Sequence, residues 1–233
     1  MIIVTDAHIS KARGNDTAFF KMLGAIESTE HDLIFLGDIF DLWVALPRYE
    51  TDIHNNFISW CLEQKKNRTI GFLEGNHEYY LASQRGAAFT WCSNEAWWQD
   101  DDGTLYAHGD LINPKDRNYL IFKKLTKNSI AKYILRSLPF GPKIADSLKA
   151  GLKKTNSQLR LQLPWDDIKI FADNRFAEGI DTIFMGHFHQ EYCYANQESK
   201  KLYVLPDWLG TQKVALFQKN PITISTRHWR ELL

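Results

Sequence analysis

Cysteine is scarce in this chain: Cys61, Cys92 and Cys193 are the only three among 233 residues. Odd in number and far apart, they make neither a disulfide framework nor a Cys-x-x-Cys pair, and they read as reduced thiols. Net charge is missing too, with 28 basic residues against 28 acidic ones. The chain as a whole therefore has no field to draw it to nucleic acid, and no nucleic-acid partner is expected. No apolar run approaches the roughly 20 residues that span a bilayer. Met1 to Asp6 lacks the charged start and small-residue cleavage site of a signal peptide and reads as a strand, so a cytoplasmic location is expected. Repeats and low-complexity tracts are also missing, which removes the solenoid classes. What is present is a core. Hydrophobic residues make up 44% of the chain and aromatics 13%, too much for a disordered polymer, and the length suits one large domain.

The first third alternates. Ile2–Val4, Leu33–Leu36 and Thr69–Leu73 are short apolar runs of strand type, separated by helical patterns at Asp16–Glu27 and Asp52–Lys65. Strand and helix in alternation predict a parallel sheet with covering helices. Further on, Ala96–Gln99 and Thr104–Ala107 flank Asp100-Asp101-Asp102-Gly103, a hairpin signal. Thr182–Met185, Tyr192–Ala195, Leu202–Leu205, Lys213–Phe217 and Ile222–Thr226 follow at short spacing and predict a mostly antiparallel or mixed second sheet. The expected architecture is α/β: two packed mixed sheets flanked by helices, as one domain over residues 1–233.

The middle of the chain differs in composition. Between Lys115 and Arg160 stand twelve basic residues and two acids, Asp116 and Asp146, a net +10 that the remainder must balance. Large apolar residues are interleaved, and Pro139 and Gly141-Pro142 break the run into at least two helices. Residues 115–165 therefore read as a helical insertion. It is either a solvated basic face or a cap for an anionic, partly apolar ligand or a membrane surface.

Five clusters stand where predicted strands end: Asp6-Ala7-His8, Gly37-Asp38-Ile39-Phe40-Asp41, Gly75-Asn76-His77-Glu78, His108-Gly109-Asp110 and Gly186-His187-Phe188-His189. Open α/β folds place their ligands at such strand ends. Carboxylate, imidazole and a neutral amide oxygen, with no thiolate, make a mixed N/O donor set for a borderline divalent metal. Buried carboxylates and imidazoles are costly unless paired or metal-bound, and five such clusters in order point to a site.

In order, the five clusters resemble the motifs of the calcineurin-like metallophosphoesterases, and the resemblance runs from Asp6 to His189. It implies the α/β/β/α sandwich of that family and two divalent metal ions under a bridging aspartate. One metal would be held by Asp6, His8, Asp38 and His189, the other by Asp38, Asn76, His108 and His187. Manganese is the metal the resemblance favours, with iron and zinc compatible with the same donors. Paired cations of this kind activate water and clamp phosphoryl oxygens. His77 would then be the catalytic residue, as general acid or phosphate-charge stabiliser tuned by a nearby acid. Asp41 and Asp110 would orient histidines or waters behind the metals.

Within the superfamily the chain is most similar to the UDP-2,3-diacylglucosamine hydrolase group of lipid A biosynthesis. That similarity rests on length, on Asp38 to Trp43, on His108-Gly109-Asp110 followed by Asp116, Arg117 and Tyr119, on the insertion, and on Val204 to Trp208. It implies cleavage of a nucleotide-lipid pyrophosphate at the inner face of a membrane, with Asp116, Arg117 and Tyr119 at the substrate and a peripheral membrane contact. One departure stands out. The main enzymes of that group carry arginine where this chain has His77. A soluble nucleotide phosphodiesterase or phosphomonoesterase is therefore the alternative, and a nuclease using Trp91, Trp97 and Trp98 for stacking a more remote one.

Overall fold

In the computed structural model, which describes residues 1–138, 163–219 and 221–232, the alternating first third forms a parallel ladder. Strands β1 (Ile2–Val4), β2 (Leu33–Phe35) and β4 (Ile70–Leu73) pair in parallel, joined by helices α1 (Asp16–Glu27) and α2 (Asp52–Gln64). A strand not read from the pattern, β6 (Trp91–Ser93), extends this ladder past β4. Two-residue strands β3 (Trp43–Val44) and β5 (Glu78–Tyr79) pair with each other beside it, and a short helix, α3 (Leu81–Arg85), follows β5.

The second sheet has the order β10-β11-β9-β8-β7. It contains the expected hairpin β7 (Trp97–Gln99) and β8 (Thr104–Ala107), then β9 (Thr182–Met185), β10 (Tyr192–Ala195) and β11 (Lys201–Val204). Here the sequence expectation needs one correction. The last strands, β12 (Lys213–Gln218) and β13 (Thr223–His228), leave this sheet and add to the first, β12 lying antiparallel to β1. Short spacing predicts that strands exist but not which edge they join.

Period-2 alternation sorts the side chains into layers. Ile3, Ile34, Leu73 and Phe217 of the first sheet face Tyr106 and Phe184 of the second. Ile2, Val4, Phe35 and Phe72 face outward onto α1 and α2. Ile183, Met185, Leu202 and Val204 face outward onto helix α6 (Trp165–Ala177) through Ile168, Ala172 and Phe176. The result is the expected helix, sheet, sheet, helix sandwich. Trp91 stacks on Trp98 with centroids 3.8 Å apart, one ring from each sheet, so these tryptophans weld the layers together.

The insertion begins with α4 (Arg117–Thr126) and α5 (Ser129–Ser137), N-capped by Asp116 and Asn128. The expected break at Pro139 and Gly141-Pro142, and the basic residues from Lys143 to Arg160, lie outside the described residues. Leu135 of α5 packs with Leu42, Val44, Leu46, Tyr79 and Tyr80 in a separate small core. Among the described residues no helix is long and apolar enough to cross a membrane.

Candidate metal centre

The five clusters meet at the C-terminal ends of β1, β2, β4, β8 and β9, so parallel pairing collects residues 180 positions apart in one place. Main-chain bonds zip the first two loops together: Asp6 N–H donates to the Gly37 carbonyl at 3.1 Å and His8 N–H to the Asp38 carbonyl at 3.0 Å. The backbone is tightly folded. Asp6, His8, Asp38, His187 and His189 all have positive φ, between 44° and 72°. Left-handed conformations at non-glycine residues cost of order 1–3 kcal/mol each and persist only where surrounding bonds enforce them. Glycines make the close approach feasible. At Gly75 a Cβ would sit against Asp38 Oδ1, and at Gly37, itself at φ +79°, against His108 Nδ1.

Asp38 lies at the middle. Its Oδ1 is 3.4 Å from His108 Nε2 and its Oδ2 is 3.8 Å from His8 Nε2. The two oxygens thus face two separate groups of donors. On one side Asp6, His8 and His189 bring ligand atoms within 4.8 Å of one another; on the other, Asp38, His108 and His187 do the same. Asn76 Oδ1 is 3.1 Å from His108 Nε2 and completes the second group. The seven residues expected at the metals are therefore brought together in two groups that share Asp38.

Hydrogen bonds fix which atom of each ligand faces inward. His108 Nδ1–H donates to the Leu36 carbonyl at 2.9 Å, turning Nε2 toward Asp38 and Asn76. Asp6 Oδ2 accepts from Thr5 Oγ1 and from His187 N–H, both at 2.7 Å, leaving Oδ1 to face His189 Nε2 at 3.4 Å. The other ring nitrogen of His189 lies 3.7 Å from Asp207 Oδ2. Behind a metal-binding imidazole such acceptors set tautomer and aim. Asp207 lies in the Val204 to Trp208 stretch, where the pattern marks no site role for it; it also N-caps the short helix α7 (Trp208–Thr211).

The electrostatics are those of a site built for cations. Burial pushes His8 down to about 3, with His77 adding to the effect, and His187 down to about 4, with His108 adding to it. For His108 burial acts in the same direction, but Asp38 outweighs it and raises the ring to about 10. His189 is likewise opposed by burial and raised to about 9 by Asp207 and Asp6. Burial opposes ionisation of Asp38, yet His77, His108 and His8 hold it well below the usual carboxylate range. Both ring nitrogens of His8, Oδ1 of Asp6, Nδ2 of Asn76 and Nε2 of His77 are buried without a hydrogen-bond partner. The Asn76 NH2 is a donor and stands apart; the bare carboxylate oxygen and imidazole lone pairs fit a divalent pair, because one cation can satisfy several of them at once.

His77 stands against this cluster. Its ring lies 4.6 Å from that of His8, and its Nε2 is 3.7 Å from Asp38 Oδ2, so with His8 and Asp38 it forms a third group of possible metal-binding atoms. The nearby acid is Asp38, and on the other side of the ring Nδ1 is 2.6 Å from the Asp41 carbonyl. The Asp41 carboxylate instead accepts from Arg13, at 3.0 Å from Nη2. Asp110 likewise accepts from Lys123 at 2.8 Å and from the Tyr119 hydroxyl, while its charge is felt by His108 and His187. Of the three residues expected at the substrate, Asp116 caps α4, Tyr119 is buried against Asp110, and Arg117 is exposed on the first turn.

Glu78 was read only as the end of its motif. It is fully buried, and burial together with Asp38 raises its carboxyl to about 7.

One comparison shows the family. Residues 1–191 match the sequence profile of the calcineurin-like phosphoesterases. A UDP-2,3-diacylglucosamine hydrolase of Pseudomonas fluorescens is 26% identical over 230 residues, covering 89% of this chain and 87% of that protein. One from Photobacterium profundum is 23% identical over 248 residues, covering 99% and 98%. Among solved structures, a cold-active protein-tyrosine phosphatase of a Shewanella species superposes with a TM-score of 0.46 at 14% identity, covering 97% of this chain and 79% of that one.

Proposed function

The chain belongs to the calcineurin-like phosphoesterases, a metal-dependent hydrolase family, and from that premise we propose that it cleaves the pyrophosphate bond of a nucleotide-diphosphate lipid of the UDP-diacylglucosamine type. One observation carries the lipid part. On α5, Ile130, Tyr133 and Ile134 point away from the body, with Leu138 one turn on, and all are exposed. Ile121 and Leu125 of α4 are exposed beside them. An apolar stripe at i, i+3, i+4 and i+8, interleaved with Lys124 and Arg136, suits a molecule that is anionic at one end and aliphatic at the other. In this reading residues 115–165 are the cap of a single domain, and the same stripe makes the peripheral contact with a membrane surface.

The proposed ligand groups are Asp6, His8, Asp38 and His189 for one metal and Asp38, Asn76, His108 and His187 for the other, with manganese the expected ion. When bound, a pair of divalent cations supplies Lewis acidity toward phosphoryl oxygens and a more acidic water. The chain's own part is positional. Asp38 presents one oxygen to each group of donors, so one side chain sets the spacing of both. The Asp41 carbonyl keeps a proton on His77 Nδ1, so any proton that passes to the leaving group passes at Nε2, the atom facing the cluster.

A second reading, a hydrolase of soluble nucleotides or small phosphodiesters, is favoured by a different observation. The inner side of α5 is already filled by Tyr79, Tyr80 and Leu135, and Lys127 lies over the Tyr79 ring at 5.0 Å. Acyl chains would have to use the outer stripe. The test is a hydrolysis panel with manganese: UDP-2,3-diacylglucosamine, its deacylated analogue, bis-p-nitrophenyl phosphate and p-nitrophenyl phosphate. Release of UMP with strong preference for the acylated substrate is expected. Equal turnover of acylated and deacylated substrates would establish the second reading.

A further inference from the structure

Beneath the shared aspartate lies a carboxylate that touches no candidate ligand side chain. Glu78 Oε2 accepts from the N–H groups of Asp38 and Gly75, each at 2.9 Å, and its Oε1 accepts from Ile39 N–H, also at 2.9 Å. All three donors belong to the loops after β2 and β4, and Glu78 has no exposed surface. The donors are main-chain groups inside or next to the tightest turns of the site. Asp38 sits at φ 54° directly after Gly37 at φ +79°, a conformation that turns successive N–H groups to one side, where an anion can gather them. Gly75 precedes Asn76, and His77 N–H returns a bond to Asp38 Oδ1 at 2.8 Å.

We infer that Glu78 is a positioning residue that fixes the aim of Asp38 between the two groups of donors and locks the Asp38 loop to the Asn76–His77 loop. Three N–H donors on its two oxygens tie the carboxyl to both loops at once, which is what a left-handed aspartate needs to hold its pose. This inference rests on Asp38 being shared by two metals. It adds that the shared geometry is set from below, by an acid that never meets metal or substrate. The side chain's shape matters as well as its charge. Glu78→Gln can satisfy only one side of the fork, because its NH2 must face an N–H group. Glu78→Asp keeps the charge and falls short by one methylene.

The experiment compares wild type, Glu78→Gln, Glu78→Asp and Phe57→Leu, the last a core substitution in the α2 layer that lowers stability away from the site. Manganese stoichiometry and affinity are measured by calorimetry, kcat and KM on bis-p-nitrophenyl phosphate, and Tm for each chain without added metal. For the Glu78 variants a loss of roughly 10–100-fold in metal affinity or kcat is expected, the range found when groups behind metal ligands are removed, with KM changed much less. Phe57→Leu should lower Tm while keeping metal affinity and kcat. If the Glu78 variants lose only Tm and keep two tightly bound metals and wild-type kcat, Glu78 is merely structural and the inference falls. Should Glu78→Gln fail to fold, Glu78→Asp decides by the same two readouts. Fewer than two metals on the wild type would instead overturn the dinuclear reading, so the two failures are told apart by which protein shows them.

Discussion

Asp6, Asp38 and His108 are buried almost completely, whereas Ile130 and Tyr133, on a helix packed against Leu42, Val44, Tyr79 and Tyr80, each leave 74% of their surface in solvent. The floor of the site hides its charges and the proposed cap shows its grease, which inverts the usual partition. On the floor Asp6 Oδ2, Asp38 Oδ1 and His108 Nδ1 are hydrogen-bonded, while Asp6 Oδ1 and both ring nitrogens of His8 are left without a hydrogen-bond partner for a cation to meet. On the cap the exposure is organised rather than scattered. One face of α5 holds Leu135 and Lys132 to the body, with Lys132 donating to Ser83 Oγ at 2.8 Å, and the opposite face carries the apolar stripe. Where ionisable groups are buried together with polar atoms left unpaired, chemistry is expected; where apolar groups are exposed in register, a partner surface is.

The sharpest way to break this contrast is to alter the floor at its centre. Asp38→Ala removes the one side chain that faces both groups of donors, so metal content should fall at both positions and turnover should vanish. Asp6→Ala should chiefly empty one position. Elemental analysis and activity on bis-p-nitrophenyl phosphate check both, and full activity of the wild type after exhaustive chelation would sink the metal reading altogether.

His77 sharpens the comparison from inside the floor. If its Nε2 serves the substrate rather than a metal, His77→Ala should keep metal content near normal while kcat falls by about 10²–10⁴. Substrates with p-nitrophenol as leaving group should suffer least, because that group needs no proton. Since the ring also lies in ligand range of His8 and Asp38, loss of metal from this variant would move His77 into the ligand set.

The floor was the more legible half. Each ligand motif follows a run of strand type, and parallel pairing does the rest, so Asp6 through His189 converge as the spacing suggests. Less legible were the groups that act through the main chain. No pattern distinguishes the carbonyl of Asp41 from its carboxylate, or marks Glu78 as a brace for three N–H groups rather than a further ligand. Asp116 and Tyr119 have scaffold partners that the pattern did not mark. A residue near the site in sequence can serve the scaffold, and here both stabilise α4 and its seat on Asp110. The edge joined by β12 and β13 was also closed to pattern, because sheet membership is decided by long-range pairing.

The cap offers the next test. Changing Ile130, Tyr133 and Ile134 together to serine should leave turnover of a small diester at the wild-type level, since all three point away from the body. Binding to vesicles of anionic phospholipid should weaken by about 10²-fold if each side chain contributes of order 1 kcal/mol by leaving water, less than full burial would give. Turnover of the acylated substrate should fall with it. Unchanged sedimentation with vesicles would mean that the stripe serves neither membrane nor lipid, and the soluble-hydrolase reading would then gain.

The smallest effect is expected at the seam between the two regions. Tyr49 donates its hydroxyl to the Leu135 carbonyl at 3.0 Å, and Arg48 reaches the Leu138 carbonyl at 3.4 Å, so the loop after β3 caps the C-terminal end of α5. The same stretch of chain begins at Asp41, whose carbonyl holds His77. Tyr49→Phe removes one partly buried hydrogen bond and leaves a carbonyl at a helix end, where water can replace the lost partner, so about 1 kcal/mol of stability should go. If the seam only ties the cap down, Tm should fall slightly and kcat on a small diester should hold. If it also transmits the position of the cap to the floor, kcat should fall while metal content stays constant. A change in kcat without a change in metal would therefore show that the two regions, built so differently, work as one.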